Sequence, residues 1–525
     1  MWCNPPRPTS SQATTATIRA FASNVNAADP AEDVSPSGVR GYGQSETSIA
    51  AVGPYAVEAW NDSTSFVTTA CPAPLFKEEG TGFGFSATGG ASFVDEGGPP
   101  NSNCSSDRLS GDPSVEAWRS GGSAYFYISS LYFPVFSSSG LPADVRTFVA
   151  INACKASGTG ATANLSCSQP FIAAASSQCQ NSFCSFLDKD YLSIDPVRGR
   201  LYVSYTEFGI NPPPDNLAFG QIELAVCDLG TPGGGTGPAG GTAGQPVCKP
   251  GSSGTQTQPG SPYFVLAPGP KCENEGAYPA VDVATGAVYV AYEFNLSTDV
   301  FVPGCNTTPT QNVVKYIPFT CLTLPASSCS GPAGSNAVNV VTMFAALIPG
   351  YTRFPLQDFP RIAVSDGAGT VSIVWNDAAV HPLGDILLQS FELGSLAPVQ
   401  SAPVRVNSRA TGGLHFLPAL RNADQNGNLN VSWYERRSPT TTLTNVVAAL
   451  NVDPRITSTP GSNTPVTTVA TDWLKVTAFP FFPNFGDYTD NYIIARPGVP
   501  STGTKLYIAW ADGRTGVPQP FEAHT

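Results

Sequence analysis

Short apolar strands recur along the chain in pairs. A polar or acidic turn leads into a brief apolar run, and a turn that often contains glycine separates it from a second run in which apolar and polar residues alternate. Alternation with a period of two is typical of strands with one buried face, and a short turn between two such runs predicts antiparallel pairing. Seven segments carry the pattern: 44–62, 111–129, 188–207, 275–293, 357–377, 415–436 and 486–514.

The spacing of the pairs predicts the architecture. The second runs close at residues 60, 128, 205, 292, 375, 433 and 510, usually on an aromatic side chain, and are about 75 residues apart on average. Short strands repeating at this period are typical of a β-propeller rather than a sandwich. Seven units predict an all-β, seven-bladed propeller, with six blades as the alternative if one unit is decorative.

The ends of the chain fit a closed ring. We expect a leader over residues 1–14 and a single propeller domain over 15–525. The stretch Thr15–Ala22 alternates like a strand, and we predict that it completes the last blade and seals an open sheet edge. A disordered leader is the alternative for this stretch.

Composition excludes several other classes. Glycine and proline number 51 and 49 among 525 residues, which is too many helix breakers for a helical bundle. Hydrophobic residues make up 41% of the chain and can bury a large core. A net charge of −13 without basic clusters argues against nucleic acid and anionic membrane surfaces as partners. Because no apolar run approaches about 18 residues, no membrane span is predicted; the oligomeric state stays open.

Thirteen cysteines and only three histidines predict disulfides rather than a zinc site, because no two cysteines form a C-x-x-C pair. Disulfides imply an oxidising compartment, so we expect an extracellular or cell-surface protein. Cys3 is interpreted as a free cysteine, and the glycine-rich run 230–244 as a flexible surface loop. Pairing of neighbours gives Cys71–Cys104, Cys154–Cys167, Cys179–Cys184, Cys227–Cys248, Cys272–Cys305 and Cys321–Cys329.

One segment carries a family resemblance. Ser86–Phe93, Ser-Ala-Thr-Gly-Gly-Ala-Ser-Phe, resembles the Asp-box of sialidase-like (BNR-repeat) propellers, with Thr88 in place of the acid and Phe93 in place of the tryptophan. The strand pairs resemble the same proteins over residues 44–514. The resemblance implies a propeller whose relatives include hydrolases, lyases, lectins and passive scaffolds. It does not bring over the complete sialidase machinery, because the expected Phe/Tyr-Arg-Ile-Pro motif is replaced by Phe359-Pro-Arg-Ile in another blade.

Acidic residues follow the strand pairs in a regular way. Because paired strands are antiparallel, the start of each first strand and the end of each second strand lie on the same face of the disc. One face should therefore carry two rings of carboxylates around the mouth of the channel. The first ring is Glu46, Asp112, Asp188, Asp190, Glu275, Asp358 and Asp487, and the second is Asp62, Glu207, Glu293, Asp377, Glu435 and Asp512.

Converging carboxylates suit glycosidic bond cleavage, in which one acid is protonated and the other ionised. Crowding of like charges raises the pKa of one partner, as an acid catalyst requires. The catalytic candidates are Asp190, Glu275, Asp358 and Asp487. Arg361 and Arg421 are candidates for an anionic group of the substrate, and Tyr278, Tyr434 and Tyr488 for a sugar platform.

Three alternatives compete with this interpretation. The outer acids Asp62, Asp377 and Asp512 could cap turns by accepting backbone N–H bonds. Converging carboxylates could hold Ca²⁺, although no cofactor is otherwise predicted. His415 with Tyr434 or Tyr488 could supply a lyase base, with Arg421 neutralising a uronate.

Two functions therefore stay open from the sequence. The first is a secreted or cell-surface, glycosidase-like enzyme acting on extracellular glycans. The second is a non-catalytic propeller that binds a glycan, a cation or a protein, or has a structural role. The expected partner is an extracellular carbohydrate or another surface ligand.

Overall fold

A computed structural model describes most of the chain. The described residues are 20–31, 43–63, 79–134, 146–176, 185–210, 218–248, 264–267, 274–294, 311–324, 336–341, 359–408, 412–438, 440–476, 486–496, 498 and 505–525.

Strands dominate the described residues, and the helical segments among them are single 3₁₀ turns at Gly160–Thr162, Phe319–Cys321 and Trp473–Lys475. The strands are β1 Val25–Asn26, β2 Gln44–Val52, β3 Tyr55–Asp62, β4 Thr81–Ser86, β5 Val94–Asp95, β6 Asp107–Leu109, β7 Ser114–Ser120, β8 Ser123–Pro134, β9 Phe148–Ser157, β10 Asn164–Cys167, β11 Phe171–Ala175, β12 Phe186–Asp195, β13 Arg200–Ile210, β14 Ala218–Asp228, β15 Val247–Cys248, β16 Phe264–Ala267, β17 Glu275–Val281, β18 Val288–Phe294, β19 Gln311–Ile317, β20 Asn336–Val341, β21 Arg361–Ser365, β22 Thr370–Asp377, β23 Asp385–Glu392, β24 Val404–Arg405, β25 Leu414–Ala419, β26 Leu429–Arg436, β27 Leu443–Val452, β28 Thr464–Pro465, β29 Thr471–Asp472, β30 Asp490–Ile493, β31 Leu506–Asp512 and β32 Gln519–His524.

These strands form seven antiparallel sheets arranged as a seven-bladed β-propeller, so the predicted fold is confirmed and the six-bladed alternative is wrong. Blades I to VII begin with the inner strands β2, β7, β12, β17, β21, β25 and β30. In each blade the next strand pairs with the inner one through a hairpin, as the alternating pattern predicts.

Blade VII is completed from the N-terminal part of the chain. Strand β1 pairs with β32, with Val25 opposite Glu522 and Asn26 opposite Phe521. The predicted closure is confirmed, but the strand lies later than Thr15–Ala22, of which residues 15–19 fall outside the described part. The reason is visible in the packing: Ala27 and Ala28, directly after β1, are buried against Trp60 of blade I and anchor the segment there.

The core lies between the blades. Ile49, Phe126 and Tyr507, from blades I, II and VII, belong to one buried cluster, and similar clusters fill the other blade junctions. The indoles that close the second strands, among them Trp60 and Trp375, are fully buried. Burial of large aromatic side chains is a major stabilising contribution, which explains why the repeat ends on them.

Two of the six predicted disulfides are present in the described residues, Cys154–Cys167 and Cys227–Cys248. Cys104 and Cys321 are also disulfide-bonded, while their predicted partners Cys71 and Cys329 lie outside the described residues. The remaining two pairs, 179–184 and 272–305, are outside them for at least one cysteine each.

The glycine-rich run 230–244 differs from the flexible loop that we expected. The Asp228 carboxylate accepts hydrogen bonds from the backbone N–H groups of Gly230, Ala239 and Gly241 at 3.0, 2.6 and 3.2 Å. Further backbone bonds run within the loop and to blade II, where Gly121 N donates to Pro232 O. One buried carboxylate can thus order a loop whose glycines allow the close approach of its backbone.

The Asp-box-like segment lies on the turn between β4 and β5, the position that its resemblance implies. Hydroxyls replace the missing acid: Ser86 Oγ accepts from Gly90 N at 2.9 Å, and Thr88 Oγ1 accepts from Ser92 N at 3.0 Å. The Gly89 carbonyl also accepts from Tyr507 Oη at 3.1 Å. The turn therefore ties blade I to blade VII.

Candidate active site at the channel mouth

The mouth of the channel, where the inner strands begin, is shaped by repeated bulges. In blades I, III, IV and VI the inner strand has extra residues opposite its partner, between Ser45 and Ser48 in blade I and at matching places in the others. Glu46 and Lys189, within the bulges of blades I and III, have φ values of 56° and 53°, and Asp112, just before the regularly paired strand β7, has a φ of 49°. A bulge with a left-handed residue redirects side chains, and here it presents charged groups at the mouth.

Lys189 is the centre of a charged group that we call the lysine cluster, consisting of Lys189, Asp112, Asp188 and Asp487. Its Nζ lies 2.9 Å from Asp487 Oδ2, 3.4 Å from Asp112 Oδ2 and 3.9 Å from Asp188 Oδ2. These carboxylates come from blades II and III and from the segment before β30. Only Asp188 has substantial exposure, with 24% of its side-chain surface accessible.

The pKa values of Asp188 and Lys189 in the lysine cluster are both raised. Burial raises the pKa of Asp188 to about 7; the Lys189 ammonium opposes this effect, and the Asp112 carboxylate adds to it. Burial alone would lower the pKa of Lys189, but the carboxylates of Asp112, Asp188 and Asp487 outweigh it and raise the pKa instead. The lysine is therefore charged, while Asp188 exchanges a proton near neutral pH.

Two further side chains join this cluster to blade I. Glu46 Oε1 accepts a hydrogen bond from Asp487 N at 3.1 Å. Asn61 Nδ2 donates to Asp112 Oδ1 at 3.1 Å and also to Glu46 Oε2. Blades I, II and III are thus connected at the mouth through one polar network.

Arg361 lies among three tyrosines, an arrangement that we call the arginine cage. Its guanidinium carbon is 3.8 Å from the ring centre of Tyr278, 5.3 Å from that of Tyr191 and 5.5 Å from that of Tyr488. One of its nitrogens donates to Thr489 O at 2.9 Å. Arg361 is only 2% exposed, yet it forms no ion pair with any residue that the structure describes. Cation–π contacts therefore take the place of a carboxylate partner.

Arg421, in contrast, forms ion pairs with carboxylates inside the channel. It contacts Asp490 of blade VII at 2.6 Å, Glu116 of blade II at 3.5 Å and the Leu192 carbonyl of blade III at 3.4 Å. Because these partners come from opposite sides of the ring, the guanidinium lies on the axis. Arg496 pairs with the same Glu116 at 2.9 Å. The channel below the mouth is filled with paired charges.

The sequence-predicted residues separate into three groups. Asp487, Arg361, Tyr278 and Tyr488 belong to the lysine cluster and the arginine cage. Asp190 and Glu275 lie at the same inner-strand starts and are 3% and 4% exposed, about as buried as Asp487 at 2%. Burial raises the pKa of Asp190 well above its ordinary value, more than the nearby Ser129 hydroxyl lowers it. Asp358 falls outside the described residues.

Two predicted residues are placed elsewhere. Tyr434 is buried between blades VI and VII, where its hydroxyl donates to Ala511 O at 2.8 Å. His415 Nδ1 lies 2.9 Å from Gly384 O, and its Nε2 lies 3.6 Å from Glu435. The lyase set with Arg421 is not brought together, because these two side chains face the packing of blade VI rather than the axis.

Two of the outer acids, Asp377 and Asp512, act as turn caps, as one of the alternatives predicts. Asp377 accepts from Trp375 Nε1 at 3.1 Å and from Ala379 N at 2.7 Å. Asp512 accepts from Trp510 Nε1 at 2.8 Å and from Arg514 N at 2.9 Å. The pattern Trp-x-Asp is thus a structural device, in which a buried indole N–H and a turn share one carboxylate.

Lys189 was missed by sequence reasoning, although Asp188 and Asp112 were in the predicted ring. Its signal is the run Asp188-Lys189-Asp190 at the start of a strand, where a lone lysine stands between two acids. Among the described residues, no group of three or more His, Cys, Asp or Glu side chains is arranged to hold a metal ion. The cation that joins the cluster's carboxylates is the lysine itself.

Comparison with known proteins gives only distant similarity. No protein-family model matches the chain, and no curated protein matches it in sequence. Among solved structures, Trypanosoma rangeli sialidase has 11% identity and a TM-score of 0.38, covering 80% of this chain and 56% of that one. The Hadza microbial sialidase Hz136 has 11% identity and a TM-score of 0.37, with 84% and 73% covered.

A third solved structure, the α-L-arabinofuranosidase from Lactobacillus brevis, has 10% identity and a TM-score of 0.29, covering 68% of this chain and 90% of that one. Sialidases are thus among the structures to which the chain is similar, as the sequence motifs predicted. The chain spans 56% of the length of the Trypanosoma rangeli sialidase. No helix among the described residues is long and apolar enough to cross a membrane.

Proposed function

We propose that this propeller is a glycosidase-like enzyme of the cell exterior, acting on an acidic glycan at the channel mouth. The observation that carries the proposal is the lysine cluster, where one partly exposed carboxyl with a pKa raised to about 7 lies beside two carboxylates that pair with an ammonium. Pairs of acids whose environments drive their pKa values apart are the usual arrangement for acid–base work. The disulfides support an extracellular location.

The side chains have distinct roles in this proposal. Asp188 is the general acid, since it is the exposed member and its raised pKa keeps it protonated up to about pH 7. Asp112 and Asp487 supply negative charge toward the positive charge that develops on the sugar ring. All three have an oxygen within 4 Å of one ammonium, so these oxygens lie less than about 8 Å from one another, below the roughly 9.5 Å of the most widely separated glycosidase carboxyl pairs.

Arg361 is the proposed ligand for an anionic group of the substrate. It is a permanent cation that is not paired with a carboxylate among the described residues, and it lies at the start of the inner strand β21. Asp190, Glu275 and Asp358 stay in the proposal as sequence-predicted catalytic residues to be tested beside Asp188.

The test is a panel of acidic and neutral glycans, with binding and release of reducing ends measured in the same samples. We expect release from an acidic glycan, with a rate that falls above about pH 7 as Asp188 loses its proton. Asp188→Asn should reduce the rate about 10²-fold or more. Asp377→Asn, which alters a turn cap on the same face, is the matched control and should retain activity. Absence of release across the panel would refute the enzymatic proposal.

A second function is favoured by a different observation. The carboxylates of Asp112 and Asp487 are already paired with Lys189, and the channel below is filled with ion pairs. A non-catalytic propeller that binds a glycan or another surface ligand would need no free carboxylate. Binding without release, unaffected by Asp188→Asn, would favour this function.

A further inference from the structure

Two aromatic side chains of the described residues are strongly exposed, and both lie on the mouth face of the disc. Phe186, at the start of β12, is 45% exposed, and Phe294, at the end of β18, is 37% exposed. No other phenylalanine, tyrosine or tryptophan is among the strongly exposed large apolar residues of the described ranges. Inner strands begin and second strands end on the mouth face, so both rings belong to neighbouring sectors of one rim, in blades III and IV.

Phe186 is held in place rather than loosely exposed. It lies directly opposite Phe208 of β13, and the two rings stack with centroids 5.2 Å apart and an interplanar angle of 28°. Phe208 is 9% exposed. A Cβ on Gly220 would lie 3.1 Å from the Phe208 ring, so the ring sits closely over the β14 backbone. The inner ring thus supports the outer one and fixes its orientation.

Strand geometry connects this aromatic pair to the lysine cluster. Phe186 and Asp188 are two residues apart, before the bulge that follows Asp188 in β12. Side chains two apart on a strand point to the same face, and their Cα atoms are about 7 Å apart. The exposed carboxyl of the cluster and the exposed ring are therefore neighbours on one surface.

Covering such a ring with the apolar face of a ligand removes its surface from water and is therefore favourable. Resting on the proposed glycan-cleaving function, we propose that Phe186, supported by Phe208, is a sugar-stacking subsite that binds a pyranose ring next to the one attacked at Asp188. A pyranose presents an apolar C–H face that an aromatic ring can cover, while its hydroxyls stay in water. Phe294 continues this rim in blade IV, so the preferred substrate is a chain of at least three sugars rather than a single terminal sugar.

The test compares Phe186→Ala and Phe186→Tyr with the wild type on a length series of the glycan found in the panel and on an aryl monosaccharide. Phe186→Ala should lower kcat/KM on chains of three or more sugars about tenfold and leave the aryl monosaccharide unchanged. Phe186→Tyr, which keeps the ring, should retain most of the activity. Val197→Ala, at an exposed apolar residue in the hairpin at the other end of β12, is the matched control.

The outcomes separate the two proposals. Wild-type cleavage with no length-dependent loss in Phe186→Ala would overturn the subsite and leave the enzyme. Equal losses on short and long substrates would also overturn it, because they would indicate a structural role. Glycan binding that depends on Phe186 without any cleavage would refute the enzymatic proposal and support the subsite. If Phe186→Ala instead abolished association with a protein, the rim would be a protein-docking surface and the subsite would be wrong.

Discussion

Removal of the Lys189 charge tests whether the channel mouth is stabilised by its ion pairs. In Lys189→Met the side chain keeps its length and apolar stem, and the left-handed φ of 53° is equally unfavourable for both residues. The ammonium lies 2.9, 3.4 and 3.9 Å from three carboxylates. Each contact is worth about 4–6 kcal/mol at an effective dielectric constant of 20, but desolvation cancels most of it.

Deletion of one partner from a buried ion pair typically costs about 3–5 kcal/mol. We expect a loss of about 4 kcal/mol in the free energy of unfolding of Lys189→Met at pH 8, measured by urea denaturation. Without the ammonium, the native carboxylates bind protons more tightly than the unfolded chain does, so stability falls as pH rises. The loss should therefore shrink toward pH 5, where the native carboxyls can be protonated.

The matched control is Lys475→Met. Its ammonium lies 3.0 Å from Asp472, but 83% of its side chain is exposed, so the change should stay within about 0.5 kcal/mol. A loss for Lys189→Met that equals the control, or that is the same at pH 5 and pH 8, would refute the electrostatic reasoning.

Three further variants test other parts of the structure. Burial raises the pKa of Glu79 from 4.5 to about 7, so its contribution to stability is complete below pH 4.5 and is lost as pH rises through 7. The free energy of unfolding of Glu79→Gln, relative to that of the wild type, should therefore rise by about 3 kcal/mol between pH 4.5 and pH 7. A difference between the two proteins that stays constant across this range would contradict this. Replacing Cys227 and Cys248 by serine opens a loop of 21 residues and should lower the free energy of unfolding, measured by urea denaturation, by about 3 kcal/mol. Equal stability of the serine variant and the oxidised wild type would contradict this. Gly276→Ala, at a φ of 66°, places a Cβ 2.1 Å from a phenylalanine ring and should lower the free energy of unfolding by about 3 kcal/mol. In the control Gly122→Ala, at a φ of 81°, the Cβ meets open space, and the loss should be about 1 kcal/mol. Equal losses in the two variants would show that packing around Gly276 is unimportant.

The blade pattern was readable in the sequence because its cause is local. Most of the paired strands are buried on both faces, between neighbouring blades, so burial itself does not alternate. Each hairpin nonetheless joins two strands that are adjacent in the chain, so the two short runs, the turn between them and the closing aromatic appear directly in the residue order. The same holds for Cys154–Cys167 and Cys227–Cys248, whose partners lie on paired strands and are 13 and 21 residues apart in sequence. Local pairing thus predicted both the blade number and these disulfides.

The composition of the site depended on the tertiary structure. Asp487 reaches Lys189 across 298 residues of sequence, because closure of the ring brings blades VII and III to one axis. Tyr488 and Tyr434 looked equivalent in the sequence, yet Tyr488 lies in the arginine cage and Tyr434 packs between two blades. Their places in the blades decide this difference: Tyr488 precedes β30, the inner strand of blade VII, whereas Tyr434 lies on β26, one strand farther from the axis. Only the assembled ring determines what each side chain meets there.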